Sequence, residues 1–271
     1  MTHHSHNNNQ GETHVDLKGK VAIVTGGASG LGEATVEAYV AKGAKVAIFD
    51  LNEQRAADVI ERVGADNARF WQVDVASEDS VKNAVAAVVE TFGAVHICNN
   101  FAGIGDAAKT YGKDGVFPMD KYMKVVMVNQ VGTFNVCRFA AEAMAANEPV
   151  TSDGGRGVII NTSSVAAYEG QIGQVAYSAT KGAVVGMTLP MARDLSTLGI
   201  RVNTIVPGLI HTPLFDSLPD NIYDALAATV LYPKRLGKPA EIAHLSVAIA
   251  ENDYINGECI RMDGGIRMQP R

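Results

Sequence analysis

The sequence is poor in cysteine, in aromatic residues and in charge. Its 271 residues include three cysteines, 6% aromatic residues and 19% charged residues. Cys98, Cys137 and Cys259 are odd in number, far apart and set in apolar stretches. We therefore expect buried, reduced thiols instead of the disulfide framework of a small secreted protein.

Long apolar runs, basic stripes, repeats and linkers are also missing. No apolar run is long enough to cross a bilayer, so we predict no membrane partner. The formal net charge of -6 argues against nucleic acid or an anionic membrane as the main partner. Because neither a repeat nor a Pro/Ser-rich linker interrupts the chain, we predict one domain.

The N-terminal residues, MTHHSHNNNQGETH, have neither a signal-peptide hydrophobic core nor the Arg-rich pattern of a mitochondrial leader. We expect residues 1–16 to form a flexible tail before a domain over 17–271, and we expect a cytoplasmic protein. His3, His4 and His6 could bind a metal, but the composition favours a polar tail. We therefore predict no metal site.

Apolar runs and amphipathic stretches alternate from Lys20 onward. The 47% of hydrophobic residues is enough for a large core. Nearly continuous apolar strands between helices predict a parallel sheet covered on both faces, in a doubly wound, Rossmann-type α/β fold. Seven strands are predicted, at residues 20–25, 45–50, 69–75, 95–100, 157–164, 199–208 and 257–265; the main helices at 31–41, 52–63, 77–92, 119–146 and 175–198.

A glycine-rich turn follows the first strand and opens the first helix. Its residues Gly26, Ser29, Gly30, Leu31 and Gly32 let the backbone approach a pyrophosphate, which the N–H groups and positive end of the helix then bind. A tight turn between strand and helix, with no ligand, is the alternative interpretation. The turn thus predicts a dinucleotide site without proving it.

Asp50 ends the second predicted strand, where its carboxylate can accept hydrogen bonds from the adenosine ribose hydroxyls. It would repel a 2′-phosphate, and neither Ala28 nor Leu51 is basic, so NAD is favoured over NADP. Arg55 is expected to lie too far into the helix to matter. A surface Asp that caps the helix is the alternative. The ends of the third and fourth strands add further cofactor candidates: Asp74, Val75, Asn100, Phe101, Ala102 and Gly103.

Tyr177 and Lys181 stand four residues apart on a predicted helix, so their side chains share one face. Ser164 ends the fifth predicted strand. Oxidation of an alcohol needs a base for the hydroxyl proton, and a nearby ammonium together with the positive nicotinamide should lower the pKa of the phenol. Lys181 can also hold the nicotinamide ribose, and Ser164 can donate to the substrate oxygen. Taken alone, a Tyr and Lys at this spacing are more often an ordinary solvated pair.

These motifs, in this order from about Leu17 to the C-terminus, resemble the short-chain dehydrogenases/reductases. The resemblance implies that Asn129 completes a catalytic tetrad by holding a water beside Lys181; otherwise Asn129 is a polar helix residue. Phe101 departs from the family pattern, which has a second Asn there. Pro207 and Gly208 match the family's turn after the sixth strand.

A narrower resemblance, to type-2 3-hydroxyacyl-CoA dehydrogenases, rests on the run from Gly157 to Leu195, on the ending RMDGGIRMQP and on the loop 109–117. It implies NAD, a homotetramer and a hydroxyacyl/oxoacyl thioester substrate that contacts Ser164 and Tyr177. Reduction of 3-oxoacyl-carrier proteins, oxidation of hydroxysteroids and a non-catalytic NAD-binding scaffold are the alternatives. Cofactor contacts are implied at Ser29, Leu31, Val75, Phe101, Ile210 and Thr212.

The segment 209–233 mixes apolar residues, among them Leu214 and Leu218, with prolines. It predicts a mobile lid over the substrate, or alternatively helices packed on the core. His211 within it could be a site residue, but a surface or supporting role is favoured. We refer to residues 209–233 below as the lid.

Overall fold

A computed structural model describes residues 14–213, 215–217 and 219–271. Residues 1–13 of the predicted tail, and Leu214 and Leu218 of the lid, lie outside the described residues. The division into a tail and a single domain stays a prediction.

Seven parallel strands form the central sheet, which confirms the predicted doubly wound α/β fold. The strands are β1 (Val21–Thr25), β2 (Lys45–Asp50), β3 (Ala68–Gln72), β4 (Ile97–Asn100), β7 (Gly157–Thr162), β8 (Ile200–Pro207) and β9 (Cys259–Met262). Their order in the sheet is β3-β2-β1-β4-β7-β8-β9, so the chain reverses direction across the sheet between β1 and β4. Ligands of such sheets bind beyond the carboxyl ends of the strands at this switch point.

Helices cover both faces of the sheet, and two buried apolar clusters lie between helices and strands. β1 is buried along its whole length, which explains its continuous apolar sequence. The helices are α1 (Gly30–Ala41), α2 (Glu53–Val63), α3 (Glu78–Phe92), α4 (Met119–Val125), α5 (Thr133–Ala145), α6 (Val175–Leu195), α7 (Asp220–Thr229) and α8 (Pro239–Glu251).

Two local predictions were wrong. The helix predicted over 119–146 is divided by a π-helix, Val126–Gly132, between α4 and α5. The loop before it contains a short antiparallel hairpin, β5 (Tyr111–Gly112) with β6 (Gly115–Val116). Hydrophobic periodicity does not separate α- from π-helix, and two-residue strands carry almost no pattern.

The third strand is shorter than the predicted 69–75 because its last residues leave the ladder. The Asp74 backbone N–H donates to Ser80 Oγ at 3.1 Å, and Asp74 Oδ1 accepts from the N–H of Ala76 at 2.9 Å. These bonds turn the chain toward α3 and leave Asp74 exposed at the carboxyl edge.

The search for a membrane span covers only the described part of the chain. None of the helices there combines the length and the apolar character needed to cross a bilayer.

Candidate active site

The glycine turn after β1 is built so closely that side chains would not fit. A Cβ atom at Gly32 would lie 2.1 Å from the carbonyl oxygen of Gly26. Gly26 itself has φ of 65°, and a Cβ there would lie 3.0 Å from the Ala102 nitrogen. The turn therefore brings the N-terminus of α1 against the end of β4. Ser29, the N-cap of α1, makes no side-chain capping bond in the structure, so its hydroxyl is available to a phosphate.

Asp50 is held beside this turn by two backbone groups. Its Oδ2 accepts from the Ala28 N–H at 3.1 Å and its Oδ1 from the Asn52 N–H at 3.0 Å. Each carboxylate oxygen keeps a further lone pair for a ligand hydroxyl. Asn52, and not Asp50, provides the capping side chain of α2, since its Oδ1 accepts from the Arg55 N–H. The alternative of Asp50 as a mere helix cap is thus weakened.

A cleft of about 640 Å³ runs along the carboxyl edge of the sheet from this turn. It is the right size for a dinucleotide arm or a similar ligand. Twelve of the predicted cofactor residues line it: Gly26, Ser29, Gly30, Leu31, Gly32, Asp50, Asp74, Val75, Phe101, Ala102, Gly103 and Thr212.

Apart from Tyr177 and Lys181, which are also predicted to contact the cofactor and are described below, four other predicted cofactor residues lie outside this lining. Asn100 is buried, and its Nδ2 donates to Asn161 Oδ1 at 2.9 Å, so its side chain joins β4 to β7 beneath the cleft. Pro207 is the last residue of β8, Gly208 packs against Asp263, and Ile210 pairs with Gly237. Asn100 thus lies beneath the cleft, and the other three lie at the start of the lid or just before it.

Sequence reasoning missed two basic residues of the cleft. Arg55 lines it together with Asp50, so the expectation that Arg55 lies too far into its helix was wrong. Lys124, from the last turn of α4, also lines it. Their positions depend on how α2 and α4 pack on the sheet, which no local pattern records.

Tyr177 and Ser164, two of the predicted catalytic residues, lie within hydrogen-bonding distance of each other. Tyr177 lies in the first turn of α6, and Ser164 follows β7 as the N-cap of a 3₁₀ helix, Val165–Ala167. Burial raises the pKa of Tyr177, and a hydrogen bond with the Ser164 side chain partly opposes that rise. The chain's own residues therefore raise this pKa on balance, and its lowering by the ammonium and the nicotinamide together stays a prediction.

Lys181 stands behind the phenol ring. Its Nζ lies 5.6 Å from the centroid of the Tyr177 ring and donates to the Thr162 carbonyl oxygen at 2.9 Å. A Cβ at Gly103 would lie 3.5 Å from the same Nζ, so the ammonium borders the cofactor cleft. Burial lowers the pKa of Lys181 to about 8. Part of its ammonium charge is therefore lost in mildly alkaline solution.

Asn129 lies in the π-helix, and its side chain contacts Ile104 and Thr180, close to Lys181. Its Oδ1 accepts from the Ile104 N–H and its Nδ2 donates to the Ile104 carbonyl oxygen, both at 2.8 Å. Nδ2 also lies 3.2 Å from Thr180 Oγ1, next to Lys181. Asn129 therefore fixes the chain after Gly103. π-Helical turns are frequent at functional sites. This one contacts Thr180, the residue before Lys181.

His211 lies in the lid and not against Tyr177. Its Nε2 is 3.0 Å from Asp216 Oδ1 and its ring packs edge-on against Tyr223. These contacts agree with the supporting role favoured for this residue. Among the described residues there is no group of three or more His, Cys, Asp or Glu side chains arranged to hold a metal ion.

Known proteins are similar in sequence to this chain over nearly its whole length. A family model described as short chain dehydrogenase matches residues 20–222. 3-Hydroxyacyl-CoA dehydrogenase type-2 of Bos taurus and that of Homo sapiens are each 52% identical over 256 residues, covering 94% of this chain and 97% of the relative. Ipsdienol dehydrogenase of Ips pini is 36% identical over 258 residues, covering 93% and 99%.

A solved structure shares the fold in detail. The crystal structure of 3-hydroxyacyl-CoA dehydrogenase type-2 from Mycobacterium avium superposes with a TM-score of 0.89 at 41% sequence identity. It covers 95% of this chain and 100% of that one. Both predicted resemblances, the broad and the narrow one, are confirmed. The chain belongs to the short-chain dehydrogenase family and is an oxidoreductase.

Proposed function

We propose that the chain is an NAD-dependent dehydrogenase that interconverts 3-hydroxyacyl-CoA and 3-oxoacyl-CoA thioesters. The observation that carries the proposal is the meeting of Ser164, Tyr177 and Lys181 at the end of a dinucleotide-sized cleft. The substrate class is supported by the relatives at about half identity, which bear that activity in their names.

The chain's own residues fit a dinucleotide cofactor. The turn in which Gly32 leaves no room for a Cβ presents the N-terminus of α1 to the pyrophosphate. Asp50 would hold the adenosine ribose, Val75 and Phe101 flank the cleft, and Lys181, next to Gly103, would hold the nicotinamide ribose. Thr212 closes the cleft from the lid, since a Cβ atom placed on Gly30 would lie 3.6 Å from Thr212 Cγ2.

The catalytic residues then divide the proton chemistry among them. The hydride that leaves the alcohol carbon would pass to the oxidised nicotinamide of a bound cofactor, which is the chemistry that this group would supply. Tyr177 Oη accepts the hydroxyl proton during oxidation and returns it during reduction. Ser164 Oγ donates a hydrogen bond to the substrate oxygen and so aligns it with the phenol. The ammonium of Lys181 stabilises the phenolate, which burial alone disfavours.

Cofactor choice gives the first prediction. The wild-type enzyme should use NADH in preference to NADPH, because the Asp50 carboxylate repels a 2′-phosphate at close range. Asp50→Ala should raise kcat/KM with NADPH by roughly 10- to 100-fold and lower that with NADH, since Arg55 then faces the phosphate alone. Steady-state rates with both cofactors measure this.

Asp58→Ala is the matched control, since Asp58 is an exposed carboxylate on α2 outside the cleft lining. It should leave the ratio of the two cofactors unchanged. A wild-type enzyme that prefers NADPH would show that our assignment of Asp50 is mistaken.

Substrate choice gives the second prediction. Acetoacetyl-CoA should be reduced with a higher kcat/KM than a 3-oxoacyl-carrier protein or a 3-ketosteroid, each with NADH. The acyl-CoA assignment fails if either alternative is the better substrate. A chain that binds NAD but turns over none of the three would support the scaffold alternative.

Assembly and compartment are also proposals. We propose a homotetramer, since α5 and α6 expose apolar side chains, among them Phe134 and Leu189, that a partner subunit would cover. Light scattering tests this. We propose a cytoplasmic location, which the free, buried thiols of Cys98 and Cys137 fit, because a reducing compartment keeps them so.

A further inference from the structure

The loop that joins Ser164 to Tyr177 carries a predicted catalytic group at each end but has little regular structure. After the 3₁₀ helix Val165–Ala167, residues 168–174 form turns and bends before α6 begins. We call residues 164–177 the catalytic loop. Its shape, and hence the alignment of Ser164 with Tyr177, must be fixed by contacts from elsewhere in the fold.

Glu169 makes the strongest of these contacts. Its two carboxylate oxygens accept from Nη1 and Nη2 of Arg261 at 2.8 and 2.9 Å, and Oε2 also accepts from the Met268 N–H at 2.9 Å. The Glu169 and Arg261 side chains are only 22% and 23% exposed. The Arg261 guanidinium lowers the pKa of Glu169, so the carboxylate stays ionised at neutral pH. A two-bond pair of this kind fixes orientation as well as distance.

Arg261 belongs to β9, the edge strand, and the chain that follows it returns to the catalytic loop. We call Asp263–Pro270 the C-terminal segment. The Ile172 N–H donates to the Pro270 carbonyl oxygen at 3.0 Å, and Gln171 Nε2 donates to the Gln269 carbonyl oxygen at 2.9 Å. Three bonds to this segment and two to Arg261 thus hold residues 169–172.

The same segment also holds the lid. The Tyr232 N–H donates to the Gly264 carbonyl oxygen at 3.0 Å. Gly264 has φ of 62°, and a Cβ there would lie 2.5 Å from Val230 Cγ1. We call the last residues of the lid, 230–233, the foot of the lid. The C-terminal segment therefore contacts both the catalytic loop and the foot of the lid.

We propose that Glu169 is a positioning residue, which through Arg261 and the C-terminal segment locks the catalytic loop to the foot of the lid and so aligns Ser164 with Tyr177. Glu169 acts through Ser164 and does not contact the reacting atoms. The inference rests on the proposed function, because it is the alignment of that site which it explains. It predicts that the C-terminal residues after the last strand matter for catalysis although they lie outside the cofactor cleft.

Glu169→Gln tests this with little change of shape. The amide loses the charge and one acceptor oxygen, so kcat/KM for acetoacetyl-CoA should fall about tenfold or more, because misalignment of this kind is costly to rate. The dissociation constant for NADH should stay within about twofold, since Glu169 is not in the cleft lining. Glu37→Gln, which disturbs the exposed pair of Glu37 with Arg62, is the control and should be as active as wild type.

Hydrogen exchange provides a readout that does not depend on activity. In Glu169→Gln the amides of Ile172 and Tyr232, which bond to the C-terminal segment, should exchange faster, while those of β1 should not change. A merely structural role would lower the melting temperature, speed exchange throughout the fold with β1 included, and leave kcat per folded molecule at its wild-type value. That result would overturn the proposal.

If Glu169→Gln does not fold, Arg261→Lys keeps the charge and removes the two-bond geometry, and the same outcomes apply. The double variant Glu169→Gln/Arg261→Gln should lose no more activity than the worse single variant, because the pair acts as a unit. If wild type reduces no thioester, the proposed function fails, while the exchange rates of Ile172 and Tyr232 still decide whether Glu169 couples the catalytic loop to the lid.

Discussion

Tyr177→Phe should lower turnover by roughly 10²- to 10⁴-fold while NADH binding stays close to that of wild type. The substitution removes only the hydroxyl that, in the proposed mechanism, accepts and returns the proton, and it keeps the half-buried ring near Ser164 and Lys181. In the proposed mechanism the glycine turn, Asp50 and Lys181 hold the cofactor, and the substitution leaves all three in place. Stopped-flow rates and NADH fluorescence titration measure the two effects separately.

Tyr168→Phe is the matched control for this variant. Tyr168 lies in the same loop, but its side chain is exposed and its ring packs under the guanidinium of Arg261, a contact that phenylalanine keeps. Its activity should equal that of wild type. A Tyr177→Phe enzyme with wild-type turnover would remove the acid–base assignment.

Lys181→Met should abolish most turnover and yet leave the protein at least as stable as wild type at neutral pH. Burial lowers the pKa of Lys181 to about 8, which means that the folded protein disfavours the charged form. The shift corresponds to a cost on the order of 3 kcal/mol at neutral pH, which methionine avoids. Loss of the bond to the Thr162 carbonyl oxygen offsets part of this gain.

The pH dependence of stability follows from the same shift. Between about pH 8 and the pKa of an unfolded lysine, about 10.4, the unfolded chain binds more protons, so wild-type stability rises with pH. The advantage of Lys181→Met should therefore be full below pH 8 and shrink above it. Melting temperatures near pH 7 and pH 10 test this, with Lys82→Met, an exposed lysine on α3, as the control. A variant that is less stable than wild type at both values would contradict the account.

The fold, the glycine turn and the pairing of Tyr177 with Lys181 were predictable because all three depend on local sequence patterns. Buried parallel strands have continuous apolar sequences, and β1 and β2 end within one residue of their predicted bounds. The glycine turn and the spacing of Tyr177 and Lys181 are likewise local, since four residues of helix place two side chains on one face.

Other features depend on tertiary packing and left no local signal. Glu169 and Arg261 are 92 residues apart in the chain, so their pairing is set by the sheet and not by spacing. Arg55 reaches the cleft only because α2 packs beside β2. The sequence shows that a lysine is near Tyr177 but not that burial raises the pKa of its phenol.

The raised pKa of Tyr177 determines what must make the phenol acidic. Burial raises the pKa of Tyr177, and Lys181 itself has a lowered pKa, so the chain's residues alone do not favour phenolate. The positive charge of the oxidised nicotinamide must supply the rest. Binding of the cofactor and activation of the base are then one event.

Ultraviolet titration of the phenolate, as the difference between wild type and Tyr177→Phe, tests this coupling directly. With saturating NAD⁺ the difference spectrum should show phenolate at a lower pH than it does without NAD⁺. If the two titrations coincide, no cationic cofactor lies beside Tyr177 and the mechanism is wrong.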